Sequence, residues 1–417
     1  MPPVSTLARR CAMLTSGRSR RDQRNEETVT ASTSTGRDSA SLRRHNLRTL
    51  LRHLHLHGTT SRAELTRATG LTRSAIADLV GELAERGLAV EGGGRATGRG
   101  RPALRVSPSA DTAYVLAASI EVETLRVSRV GFGGAILDEA HAPHQTAAGK
   151  PENTVEQLTD LLTRCLADEP PLALGVAVPG LVRAADQRVV QAPNLGWSDL
   201  ALHDRLRRAT GLPGPVLIGN EARLAALAEH RRGAGRDCSD LVYVSAEVGV
   251  GGGVVSGNRV LTGNDGYGGE IGHMITRPGG RRCRCGRRGC WETEIGADAL
   301  LRHAGRRAPR DRHAAIDDLL TRADRREDRA VAAFRSLSEP VAVGLANLTS
   351  IFNPQRIILG GLLEPMLRNA GDDLRAALDD LGGLPEPLEL APAELGEHGR
   401  LLGAAEAAFD RFITELD

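Results

Sequence analysis

Three cysteines, Cys283, Cys285 and Cys290, fall within eight positions and follow His273 after an interval of nine residues. One imidazole and three thiolates make a complete tetrahedral donor set for Zn²⁺, and a closed set of this kind marks a structural ion. Whatever else the chain does, it must bring positions 273 and 290 to one point in space. Gly286 and Gly289 allow the tight turn this needs, and Arg281, Arg282, Arg284, Arg287 and Arg288 crowd the loop, which is expected to favour thiolates. A redox dithiol is the weaker reading because no Cys-x-x-Cys pair is present. Six cysteines in 417 residues also exclude a disulfide scaffold.

Charge divides the chain into unlike parts. Residues 1–110 hold 19 arginines against 9 carboxylates, a net +10, whereas the remainder holds 35 basic against 43 acidic residues, a net −8. A basic quarter joined to an acidic remainder suggests a polyanion-binding module attached to something that is not one. Residues 1–40 are rich in Ser, Thr and Arg without periodicity and read as a disordered tail. From Ser41 the pattern changes: Leu47, Leu50, Leu51 and Leu54 recur on one helical face. A short second helix opens on a Ser61/Glu64 capping box and stops at Gly70. The third has Thr72 as N-cap, buries Ile76, Leu79, Val80 and Leu83, and ends at Gly87 before a strand at Leu88–Val90.

Two helices, a tight turn, a third helix and a hairpin are the order of a winged helix-turn-helix, predicted here over residues 41–107. The third helix would enter the major groove of DNA with Arg73, Ser74 and Ala77 toward base edges. Arg99 and Arg101, in the Gly-rich wing between Gly92 and Arg105, suit the minor groove or its phosphates. A lone head of this kind binds near the nonspecific range, so a homodimer or homotetramer is expected.

Beyond Pro108 the pattern is that of an α/β protein. Short apolar runs at 114–120, 125–130, 172–178, 216–219, 241–245, 252–255 and 356–359 alternate with helical patterns, which fits a mixed sheet in two lobes over residues 111–417. Aromatic residues make up only 2% of the chain, so aliphatic side chains must carry the packing. No stretch approaches the ~18 apolar residues of a membrane span and no signal-type apolar core opens the chain, so no membrane partner and a cytoplasmic location are expected.

The run Glu270-Ile271-Gly272-His273, followed by Cys283-x-Cys285-Gly286-x-x-Gly289-Cys290-x-Glu292, resembles the signature of the ROK family (repressor, open reading frame, kinase). The resemblance continues through Pro179-Gly180, Pro193 to Trp197, Asn220-Glu221-Ala222, Gly249 to Gly253, Asn353-Pro354 and Gly360-Gly361. It implies an actin-like, ribonuclease-H-type fold of two α/β lobes, with a sugar between them and a zinc loop beside it. Carried over by position, Asn194, Asn220, Glu270, His273 and Glu292 would hold the sugar hydroxyls. Amides and carboxylates suit vicinal hydroxyls, and a metal-fixed histidine presents its other ring nitrogen in one tautomer.

The chain departs from the sugar kinases of that family where chemistry would occur. Their general-base Asp is matched by Glu221, whose extra methylene moves the carboxylate by about 1 Å, enough to cost on the order of 10²-fold in rate. Glu221 remains able to hydrogen-bond a sugar. Their first phosphate loop, Asp-x-Gly-x-Thr, is matched by Ser119 to Glu123, and their second by Glu247 to Gly253. Glu121, Glu123 and Glu247 would face a triphosphate, each like-charge pair costing about 3 kcal/mol at roughly 5 Å, so ATP is not expected to bind. The resemblance therefore implies a sugar-responsive repressor with a catalytically inactive sensor, taking operator DNA and a small sugar or sugar phosphate. A sugar kinase with an accessory head and a zinc-stabilised interaction protein are the alternatives.

Overall fold

The computed structural model describes residues 39–93, 104–144, 150–306, 311–382 and 388–416. Of the tail expected over residues 1–40, residues 1–38 lie outside the described residues, as do the wing arginines Arg99 and Arg101, while Ser39 and Ala40 are helical rather than disordered. Helix α1 (Ser39–His57) opens two residues earlier than its leucine pattern suggests and buries Leu47, Leu50, Leu51 and Leu54. After β1 (Thr60–Ser61), α2 (Arg62–Thr69) begins on the expected capping box, with the Ser61 side chain accepting from the Glu64 N–H and the Glu64 carboxylate accepting from the Ser61 N–H. It ends at Gly70 in the left-handed conformation. Helix α3 (Arg73–Glu85) starts on Thr72, whose hydroxyl accepts from the Ala75 N–H. Strands β2 (Ala89–Gly93) and β3 (Leu104–Pro108) pair antiparallel, and β1 joins them in the order β1-β3-β2. This is a winged helix-turn-helix, as expected.

The first lobe contains β4 (Tyr114–Ile120), β5 (Thr124–Gly131), β6 (Ile136–Pro143), α4 (Pro151–Arg164) and β7 (Leu174–Val178). A small sheet of β8 (Leu181–Val182), β9 (Val189–Ala192) and β10 (Trp197–Leu200) follows, then α5 (Leu202–Thr210), β11 (Val216–Asn220) and α6 (Glu221–Arg232). The second lobe contains β12 (Leu241–Ala246), β13 (Val250–Ser256), β14 (Arg259–Val260), the metal-loop region, α7 (Glu292–Ile295), α8 (Ala297–His303), α9 (Arg312–Asp324), α10 (Asp328–Arg335), α11 (Ser338–Phe352), β15 (Arg356–Gly361), α12 (Leu363–Leu381) and β16 (Glu389–Pro392). The last helix, α13 (Gly399–Glu415), returns to the first lobe and packs on β4, β7 and α6.

The two main sheets share a plan. In β11-β7-β4-β5-β6, strands β11, β7 and β4 are parallel while β5 and β6 run as antiparallel hairpins. In β14-β13-β12-β15-β16, β12, β15 and β16 are parallel and β13 and β14 antiparallel. Strands buried on both faces read as unbroken apolar runs: every residue of β4 and of β7 is buried. The seven apolar runs in the sequence all fall on strands, whereas β6 and β8–β10 were missed because they are short or half exposed and their polar residues break the pattern.

The head is not a separate bead. Its leucines belong to one continuous core with Val115, Phe132 and Val130 of the first lobe and Leu401, Ala408, Phe409 and Ile413 of α13. At the centre of this junction His55 is buried between the rings of Phe132 and Phe409, 4.9 and 4.5 Å away. Its Nδ1 accepts from the Gly133 N–H at 3.1 Å, which leaves the ring proton on Nε2 facing the buried Glu406 carboxylate at 3.1 Å. Arg231 and Arg232 complete the pairing of Glu406 at 3.0 and 2.8 Å.

Candidate functional site: a thiol-imidazole cluster where the two lobes meet

The loop that carries the cysteines is built from short backbone bonds. The Cys283 N–H donates to the Arg287 carbonyl at 2.8 Å and the Gly286 N–H to the Cys283 carbonyl at 3.0 Å, while Ile275 bridges Cys290 and Arg282 bridges Arg288. Trp291, fully buried, anchors the loop to the second lobe: its indole N–H donates to the Pro340 carbonyl at 2.8 Å. The ligand atoms of His273, Cys283, Cys285 and Cys290 all lie within 4.8 Å of one another. Cys285 Sγ is 3.6 Å from Cys290 Sγ, and Cys283 Sγ is 3.7 Å from His273 Nδ1. Tetrahedral coordination with Zn–S of about 2.3 Å places neighbouring donors roughly 3.7 Å apart, so the donor set fits a metal ion of that size.

The arginines do less here than their density in the sequence suggests. Burial pushes the Cys283 thiol up to about 12 and raises Cys290 as well. At Cys285 burial also acts upward, but the Arg287 N–H and bonds from the neighbouring thiols outweigh it and the pKa falls. Most arginines of the loop point to solvent, which screens them; a bound cation is the stronger force on these thiols.

Four of the six expected sugar residues gather at this loop. His273 turns Nδ1 toward the cluster and Nε2 toward Glu270, 4.0 Å away. Burial raises the Glu270 pKa against the opposing pull of His273 and Arg223. Glu292 accepts the Val250 N–H at 3.2 Å and has its other oxygen 3.5 Å from Cys283 Sγ. Gly249 lies between Glu292 and Asn194: a Cβ there would sit 2.7 Å from Glu292 Oε2, displacing that carboxylate, and 4.0 Å from Asn194 Nδ2. Asn194 is thus brought across from the first lobe, where its Oδ1 accepts from the Arg284 guanidinium.

The other two are employed differently. Asn220 caps α6: its Oδ1 accepts from the Arg223 N–H and its Nδ2 donates to the Gly180 carbonyl, each at 3.0 Å. Glu221, the first residue of α6, has its carboxylate 3.5 Å from the Arg400 Nε. Burial pushes Glu221 up to about 7, opposed by Arg400 and reinforced by Glu247 and Glu121.

Arg400 is the residue sequence reasoning missed. It lies 3.4 Å from Glu121 and pairs with Glu247 as well, so one guanidinium joins Glu221, at the general-base position, to two carboxylates from the segments that match the phosphate loops. Glu123 stands apart from them, 3.3 Å from His313. The three carboxylates expected to face a triphosphate together are thus divided: Glu121 and Glu247 are paired with an internal cation, and Glu123 is not. Arg400 and Glu406 are the only charges in the run from 399 to 409, and isolated charges on a small-residue helix are the signal that was available.

On the head, Arg73 and Ser74 are exposed in the first turn of α3 and Ala77 is half-buried one turn on. Arg105 of β3 is exposed and donates to the Thr59 carbonyl at 3.0 Å. Among the described residues no helix is long and apolar enough to cross a membrane.

Comparison with known proteins matches this architecture. The xylose repressor of Bacillus subtilis is 28% identical over 390 residues, 91% of this chain and 98% of the repressor. The crystal structure of a ROK family transcriptional regulator homologous to the E. coli MLC protein superposes with a TM-score of 0.73 at 25% identity, covering 89% of this chain and 98% of the other. A ROK family glucokinase from Streptomyces griseus, solved with glucose and AMPPNP, gives 0.64 at 29% identity and covers 72% of this chain and all of the kinase. The repressor-type proteins thus match through the head, whereas the kinase matches a shorter part. With the family pattern itself spanning residues 122–411, the chain belongs to the ROK family.

Proposed function

We propose that this protein is a sugar-responsive DNA-binding transcriptional regulator, a repressor of carbohydrate genes acting in the cytoplasm as a homodimer or homotetramer, with a sensor that does not phosphorylate its ligand. The observation that carries this reading is the winged helix fused through one continuous core to a two-lobed sensor. Occupation of the phosphate-loop region by Arg400 supports the absence of ATP chemistry. His273, Cys283, Cys285 and Cys290 would hold a structural Zn²⁺, which when bound ties the loop together and keeps its thiols ionised. The chain's own residues do the rest: Asn194, Asn220, Glu221, Glu270, His273 and Glu292 face the hydroxyls of a small sugar or sugar phosphate. Arg73, Ser74 and Ala77 address base edges, and Arg99 and Arg101 of the wing address the minor groove and phosphates.

Because the sugar residues come from both lobes, the ligand biases their relative placement, and it shifts DNA affinity only by its differential affinity for the two placements. The test is operator affinity at fixed salt, with duplex from upstream of the gene, across titrations of D-xylose, D-glucose and their phosphates. A shift of about 5- to 150-fold is expected in the wild type and none in Glu270→Ala. Sequence-blind DNA binding, or ATP-dependent sugar phosphorylation, would refute the reading. A second expectation concerns recognition: Arg73→Ala should weaken operator binding by about 1 to 3 kcal/mol and relax base preference, read as the ratio of specific to nonspecific Kd. An equal loss on every sequence would place the recognition surface elsewhere.

A further inference from the structure

Helix α13 touches the junction of the two lobes at one end and the DNA-binding head at the other. Over its 17 residues, about 25 Å of helix, it presents a ladder of charges in chain order. Arg400 in the first turn holds Glu121 and Glu221 of the first lobe and Glu247 of the second. Just before it, Glu397 pairs with Arg126 at 2.7 Å and His398 approaches Glu139 at 3.3 Å, which ties this end to β5 and β6. One turn on, Gly403 lies so close to α6 that a Cβ would be 1.9 Å from the Leu224 carbonyl, so the two helices pack backbone to backbone there.

The far end grips the head at three levels. Glu406 takes His55, Asp410 takes Arg52 at 3.5 Å, and the Leu416 carbonyl accepts from Arg48 at 2.8 Å. Positions 48, 52 and 55 are spaced i, i+4, i+7 and form one stripe along α1. The same arginine of α6, Arg231, bonds Glu406 and Asp410 together, so the ladder is rigid at this end.

The sensing end is where alternatives exist. Three carboxylates compete for one guanidinium, and they sit on separate segments. Glu247 leads directly to Gly249, beside which Asn194 and Glu292 meet, and its own carbonyl accepts from the Ala297 N–H at 2.8 Å. Any change in how the lobes sit changes the distance from Glu247 to Glu121 and Glu221, and with it the pairing of Arg400. A set of discrete ion pairings is the kind of element that two sites can bias in common.

We propose that α13 is the rod that reports lobe placement to the DNA-binding head, with Arg400 as its sensing end and the Arg48, Arg52 and His55 stripe of α1 as its output. Arg400 acts through other residues and is a positioning residue. The proposal rests on the reading that the junction of the two lobes takes a sugar and the head takes DNA.

The test uses the full-length, metal-loaded protein, an operator duplex, and D-xylose and D-glucose as probes. The readout is operator Kd at saturating sugar divided by operator Kd without it, alongside hydrogen exchange of α1 amides. Arg400→Met, similar in length and uncharged, should bring a wild-type ratio of about 5 to 150 close to 1. Arg400→Lys, which keeps the charge and loses the fork, should fall between. A wild-type ratio in Arg400→Met overturns the proposal. If that variant does not fold, Glu247→Gln removes only the second-lobe contact and must lower the ratio; an unchanged ratio overturns the proposal equally. If the wild type responds to neither sugar, the sugar reading fails on its own, and exchange still decides the rod. Arg400→Met must then speed exchange in α1 more than in α11, and identical rates in α1 overturn it.

Discussion

Cys285→Ser should empty the metal site and abolish sugar response while leaving the head folded. Backbone bonds shape the loop 283–290, but the four donors are the groups that gather at one point within it, all within 4.8 Å of one another, with Glu292 3.5 Å from Cys283 Sγ. Structural zinc sites of this type bind with an apparent ~10 to 16 kcal/mol at neutral pH, and removing one thiolate forfeits most of that. The functional loss follows through His273. Its Nδ1 faces the cluster and its Nε2 faces Glu270, so an unheld ring loses both its tautomer and its aim. Elemental analysis of the wild type should give one zinc per chain and of the variant none, and calorimetry should show sugar binding only in the former. A metal-free wild type that binds sugar normally would refute both the site and its role.

Glu406→Ala is expected to be the most destabilising single substitution at the head junction. The carboxylate is 1% exposed and serves His55, Arg231 and Arg232 together. Removing one partner of a buried ionic set costs about 3 to 5 kcal/mol, because the remaining charges stay buried without a counter-ion. Urea unfolding should register that loss, and operator affinity should fall with it, since Arg231 also orders Asp410, which reaches Arg52 of α1. A loss below about 1 kcal/mol would mean that water reaches the site.

The same group predicts a pH dependence. Burial by itself raises the Glu406 pKa, but His55, Arg232 and Arg231 outweigh it and hold the carboxyl well below its ordinary 4.5. A folded-state value below the unfolded one means that the ionised form stabilises the fold. This contribution is complete above pH of about 4.5 and is lost as pH falls toward the folded value. Stability of the wild type should therefore decline steeply on acidification, and Glu406→Gln should be less stable at neutral pH with a shallower decline.

Much of the local structure was legible because it obeys local rules. The capping box at Ser61 and Glu64, the Thr72 cap and the leucine stripe of α1 involve residues within a turn or two of each other, where spacing translates directly into contact. The metal donors were legible for a different reason: Cys and His have few other uses at that spacing, and the chemistry of the ion specifies the geometry. The short, half-buried strands of the small sheet, β8 to β10, have no such code.

What the sequence determined by itself was the order of head and sensor, the donor set at 273–290, and the departure from the kinase phosphate-loop pattern at residues 119–123 and 247–253. What only the tertiary structure decided was the fate of the charges. Arg400 meets Glu247 across 153 positions and Glu406 meets His55 across 351, and ion pairs carry no periodicity that announces a distant partner. Burial supplies the reason they matter: away from water each charge needs its counter-ion, so a few long-range pairings set which surfaces of lobe, helix and head move together.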